Sequence, residues 1–124
     1  MGQITFAQKN TKSVLLKIDG ITSIEGNLMI EVVDKDENVL EQLMFKVTQS
    51  EMSVPINVQN IPCMIRLYHD VNANNAMDAA WYGKPTEPVG FSNNATGNMG
   101  PPSFEDAKVS IQANESISIT LVTF

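Results

Sequence analysis

Directly after the apolar stretch "IPCMIRLY" the chain runs "HDVNANNAMD", from His69 to Asp78. Asp70, Asn72, Asn74 and Asp78 place oxygen-bearing side chains at the alternate positions from which a linear calcium loop draws its ligands. In that spacing Asp70, Asn72 and Asn74 take the first, third and fifth positions. Ala76 offers its carbonyl at the seventh, and Asp78 stands at the ninth. Two departures weaken the site: the sixth position is Asn75 rather than glycine, and the twelfth, where a bidentate Glu is expected, is Trp81. With only two carboxylates in the loop, affinity for Ca2+ falls around the millimolar range of extracellular modules. Glu87 could fold back to complete the shell. The competing reading is structural, because Asn and Asp side chains bond to their own backbone and fix tight turns.

Catalytic chemistry has less to work with. His69 is the only histidine and Cys63 the only cysteine. On a strand, neighbours point to opposite faces, so His69 and Asp70 do not form a simple acid–histidine pair. His69 shares the parity of Cys63, Ile65 and Leu67, which predicts a histidine capped at the rim of the core. Cys63 is expected to pack as a small apolar residue, and along one strand it stands ~20 Å from His69. Ser92 and Ser103 lack the flanking pattern of a nucleophile elbow. No phosphate-cradling glycine loop and no zinc-type cluster of Cys and His is present. The expectation is that the protein is not an enzyme.

The elements that must hold these residues are strands. "VLLKID" puts Val14, Leu16 and Ile18 on one face, and "GNLMIEVVD" does the same for Leu28, Ile30 and Val32. "LMFKV", "SVPINV" and "CMIRLY" continue the alternation, as do "AKVSIQ" and "SISITLVTF" near the end; helical periodicity is nearly absent. Pro55, which has no amide hydrogen to give a ladder, marks an edge strand. Turn-forming stretches such as "DKDEN" and "TQSE" separate most of the runs. Seven half-buried strands in 124 residues predict an all-β fold, a two-sheet antiparallel β-sandwich.

One segment interrupts the pattern, from about Asp70 to Asp106. It holds Pro85, Pro88, Pro101 and Pro102 and half of the aromatic residues, Trp81, Tyr82, Phe91 and Phe104. Loops this long are uncommon in compact domains and are often functional. The expectation is one domain over 1–124 with an ordered excursion over 70–106, folded over one end of the sandwich and pinned by its rings. Gly83 and Gly90 would permit turns there. Ser92, Asn93 and Asn94 would bond across the loop or to a ligand.

Composition bounds the partners. With 43% hydrophobic and 18% charged residues the chain is that of a folded protein. A net charge of −6 with only 8 Lys and Arg argues against nucleic acid, which needs a positive face. No apolar run approaches the ~20 residues that cross a bilayer.

Taken together, "HDVNANNAMD", "GKPTEPVGFSNNA" and "PPSFEDAKVSI" resemble a family of exported bacterial domains, domain of unknown function twenty-one forty-one. The shared pattern falls on His69, Asp70, Asn72, Asn74 and Asp78, then on Gly83, Pro85, Glu87, Gly90, Phe91, Ser92, Asn93 and Asn94, and ends on Pro102, Phe104 and Ala107. Many relatives have glycine where this chain has Asn75. The resemblance implies a transthyretin-like or immunoglobulin-like sandwich and an extracytoplasmic home, periplasmic or on the cell surface, with a leader peptide removed. It brings no activity. The purine-pathway hydrolases that share a transthyretin-like shape use several histidines and a basic C-terminal signature, whereas this chain has one histidine and ends "SITLVTF".

The resulting expectation is a non-catalytic, exported accessory or binding domain of unknown ligand. Its candidate residues are Asp70, Asn72, Asn74 and Asp78 for a weak calcium loop, with no other cofactor. Trp81, Tyr82, Glu87, Ser92, Asn93 and Asn94 are the candidates for a ligand, a carbohydrate or a cell-envelope protein. A carbohydrate-binding module that stacks a sugar on Trp81 or Tyr82 is one alternative. A hydrolase using His69, Asp70 and Glu87 is the other.

Overall fold

The computed structural model describes residues 11–59, 62–71, 87–96, 101–110 and 116–122. Alternating apolar residues produce five successive strands: β1 (Thr11–Asp19), β2 (Asn27–Val33), β3 (Val39–Lys46), β4 (Met52–Gln59) and β5 (Met64–Asp70). Four shorter elements follow, β6 (Val89–Phe91), a 3-10 turn (Ser92–Asn94), α1 (Phe104–Ala107) and β7 (Ser116–Thr120). They form two sheets, one ordered β4-β1-β7 and the other β3-β2-β5-β6. The predicted all-β, two-sheet sandwich is the fold observed.

The period-two faces meet between the sheets. Val14, Leu16 and Ile18 of β1 and Val54, Ile56 and Val58 of β4 are buried against Leu28, Ile30 and Val32 of β2 and Ile65 and Leu67 of β5. Each such side chain removed from water contributes about 1.5–3 kcal/mol against the chain entropy lost. Pro55 lies on β4, at the edge of its sheet and opposite Leu15 of β1, where no ladder bond is asked of it;.

Three features depart from the sequence expectation. Over its described residues, 107–110, "AKVSIQ" is not a strand: Ala107 closes α1, and Val109 makes an isolated backbone bridge to Cys63. The signal for the helix is Ser103, whose hydroxyl accepts from the Asp106 amide at 3.2 Å, an N-cap with Glu105 and Asp106 in the first turn;. The strand that replaces it, β6, lies inside the long excursion. Finally, β7 runs parallel to β1, with Leu15 opposite Ser116 and Asp19 opposite Thr120, while the other pairings are antiparallel. Val109 is held at the start of β5 in one sheet, and β7 then lies in the other sheet alongside the second half of β1.

The described parts of the excursion cover the outer face of the four-stranded sheet rather than only its end. There Val33, Met64, Tyr68, Val89, Phe91 and Ala107 are buried in a second apolar cluster, with Met29 and Phe104 packed against it. Gly90 serves close packing and not a turn: it lies within β6, and a β-carbon on it would meet Ile119 Cγ2 at 2.5 Å. Gly83 lies outside the described residues.

Candidate functional site

β5 ends at the polar segment that opened the sequence. Because β5 runs through Asp70, His69 and Asp70 point to opposite faces, His69 toward the inter-sheet core and Asp70 outward;. Both are fully buried. Two bonds then fasten the far side of the segment to its near side. The His69 amide donates to the Pro88 carbonyl at 2.9 Å, and the Val71 amide donates to Glu87 Oε2 at 3.0 Å. Residues 72–86 therefore leave and return at one latch. Glu87 is only 4% exposed, and a carboxylate so placed needs partners to offset the loss of water; neither Asp70 nor Glu87 is without one.

The loop between β1 and β2 supplies the floor of this latch. His69 Nε2 lies 2.6 Å from the Glu25 carbonyl oxygen. A carbonyl only accepts, so Nε2 carries a proton and donates;. Nδ1 is buried and has no partner among the described residues. Gly26, at φ 74°, presses its backbone against the carbonyls of Asp70 and Val71 and accepts from the Val47 amide at 3.0 Å.

The other candidates divide sharply. Asn72, Asn74, Asp78, Trp81 and Tyr82 lie outside the described residues. Among the described residues no group of three His, Cys, Asp or Glu side chains could hold a metal ion. Ser92 turns inward: its hydroxyl accepts from the Ile65 amide at 3.0 Å and donates to the Ala107 carbonyl at 2.5 Å, with no exposure. Asn93 and Asn94 both sit at positive φ, 63° and 50°, a conformation Asn adopts more readily than most residues. Asn93 Nδ2 donates to the Lys108 carbonyl at 2.8 Å. Asn94 Oδ1 accepts from the Thr120 amide of β7 at 2.9 Å. These three side chains stitch β5, α1 and β7 together, far along β5 from the latch.

Cys63 is buried, and desolvation pushes its thiol up to about 11. A further polar group lies on the outer face of the four-stranded sheet. Arg66 Nη2 pairs with Glu31 at 2.7 Å, and Gln42 Nε2 donates to the same carboxylate at 2.9 Å. The sequence alone carries no signal for it, because Gln42, Glu31 and Arg66 become neighbours only through the register of three strands.

An all-β sandwich with a latched polar segment between its fifth and sixth strands defines the class of domain. The chain belongs to the bacterial family described as "Uncharacterized protein conserved in bacteria (DUF2141)", whose model matches residues 16–119. That span runs from the second half of β1 to the penultimate residue of β7. No curated protein and no solved structure matches the chain. No helix among the described residues is long and apolar enough to cross a membrane.

Proposed function

We propose that this chain is a non-catalytic binding domain that works outside the cytoplasm and presents the segment between Val71 and Glu87 to its ligand, with calcium steadying that segment weakly. The observation that carries the reading is the latch. His69–Pro88 and Val71–Glu87 bring both ends of the segment to one buried base, the arrangement by which rigid sandwiches hold recognition loops. Asn72, Asn74 and Asp78 supply the oxygen donors, and Trp81 and Tyr82 the flat surfaces. The non-catalytic part rests on the groups a reaction would need. His69 Nε2 is bound to a carbonyl, the Cys63 thiol is buried and protonated, and both roles of the Ser92 hydroxyl are filled by backbone. Export rests on the motif resemblance.

Trp81 is the only tryptophan, so its emission reports on this segment alone. Calcium chloride at millimolar concentration is expected to change that emission and to raise the melting midpoint by several degrees over a chelator control. Asp70→Asn should weaken both responses. N-acetylglucosamine oligomers, added with and without calcium, then test whether the ring receives a sugar. If emission and melting are identical under all of these conditions, the segment is a self-satisfied turn and the proposal fails.

A further inference from the structure

The outward edge of β7 is closed over only part of its length. The Leu121 amide donates to the Asp19 carbonyl of β1 at 2.9 Å, so odd-numbered residues here face β1 and even-numbered ones face away. At Val122 the outward groups pair in both directions with Val89 of β6, at 2.8 and 2.9 Å. At Thr120 the Asn94 carboxamide accepts the outward amide, standing in for a neighbouring strand. At Ser118 and Ser116 the line stops, and no group among the described residues meets their outward N–H and C=O.

These two residues border a groove of ≈ 470 Å³ whose opposite wall is Lys108–Ser110. Both backbone groups of Val109 are bonded to Cys63, at 2.7 and 3.0 Å, which turns the backbone of Ser110 away from Cys63. Both walls therefore offer backbone groups without a partner among the described residues. Val109 and Ile117, each only partly buried against the main core, also border the groove. Lys108 is the only charged residue among the described ones that line it. Its bond to Glu105, 2.9 Å between two exposed side chains, is of the kind that contributes little and exchanges readily.

We propose that this groove accepts an extended peptide strand of a partner protein, added alongside β7 at Ser116–Ser118. The occupant continues the line already begun by Val89 and Asn94, sets an apolar side chain toward Val109 and Ile117, and brings an acidic one to Lys108. The site is separate from the Val71–Glu87 latch, which lies at the far end of β5.

The test is nuclear magnetic resonance of the labelled full chain, titrated with a short capped peptide alternating valine with glutamate. Shifts are expected at the amides of Ser110, Ser116 and Ser118. The lysine counterpart should bind about tenfold more weakly, as like charges meet at Lys108. Ser118→Pro removes an outward amide while leaving the β1 ladder intact and should abolish the shifts. Methylating alternate backbone nitrogens of the peptide should do the same without altering the protein. The proposal is overturned by an absence of shifts at millimolar peptide, by equal affinity for the two peptides, or by shifts that survive N-methylation.

Discussion

Gly26 and the carbonyl oxygen of Asp70 are in direct contact, and a β-carbon on Gly26 would overlap that oxygen and the neighbouring carbonyl of Val71. The glycine is doubly required, since its φ of 74° disfavours any side chain;. Gly26→Ala is therefore expected to cost about 2–4 kcal/mol, the left-handed penalty plus displacement of the β5 end. Urea denaturation measures it. A loss below half a kilocalorie would show that the latch floor yields freely.

Glu87→Ala takes the acceptor away from the Val71 amide. An amide left without a partner in a part-buried position costs about 1–3 kcal/mol, and Glu87→Gln, which keeps an oxygen, should cost less. Hydrogen exchange at the Val71 amide reads the effect directly: faster in the alanine variant, little changed in the glutamine one.

Ser92→Ala disconnects β5 from α1 in one step. The buried Ile65 amide loses its acceptor and the Ala107 carbonyl its donor, so about 1–3 kcal/mol of stability should be lost. Asn94→Ala, at an exposed site, should cost less and instead speed exchange at the Thr120 amide. Equal losses in the two variants would contradict the burial argument.

Cys63 gives a pH-dependent outcome at the alkaline end. Its thiol is raised in the folded state to about 11, above the ordinary value, so the unfolded chain releases the proton first. The stabilising contribution is complete below the unfolded value and is lost as pH rises through the folded one. Stability should fall between roughly pH 9 and 11, and Cys63→Ser should fall less. Native protein at pH 8 should resist thiol reagents until denaturant is added.

Asp34 behaves in the opposite sense. Bonds from the Asn38 side chain and amide hold its carboxyl below the usual range. Its contribution is therefore present above the unfolded value and lost as pH falls through the folded one. Asp34→Asn should melt earlier than the parent at neutral pH, and the two melting curves should converge in strong acid.

Alternation made the first five strands legible, because each buries one face and Val14, Leu16 and Ile18 or Val54, Ile56 and Val58 announce it in two-residue steps. The inward side of His69 followed from the same parity. β6 was not legible: three residues, Val89–Phe91, are too few for a period to show, and Gly90 among prolines reads as a turn. "AKVSIQ" misled because Val109 and Ile111 alternate locally, whereas the Ser103 cap starts a helical turn that takes in Ala107;. The latch was legible only in the option that Glu87 folds back to complete a calcium shell; its actual bonds to this segment were not. Pro88 and Glu87 meet His69 and Val71 only after a long segment has closed on itself, and no local pattern encodes that return.

The side-by-side parallel placement of β1 and β7 has a consequence for how this protein is made. Among the described strands β1 is made first and β7 last, so the smaller sheet stays a two-stranded ribbon until residues 116–120 have been made. A chain interrupted before those residues lacks one strand of that sheet, and with it the Ile119 side chain that completes the core.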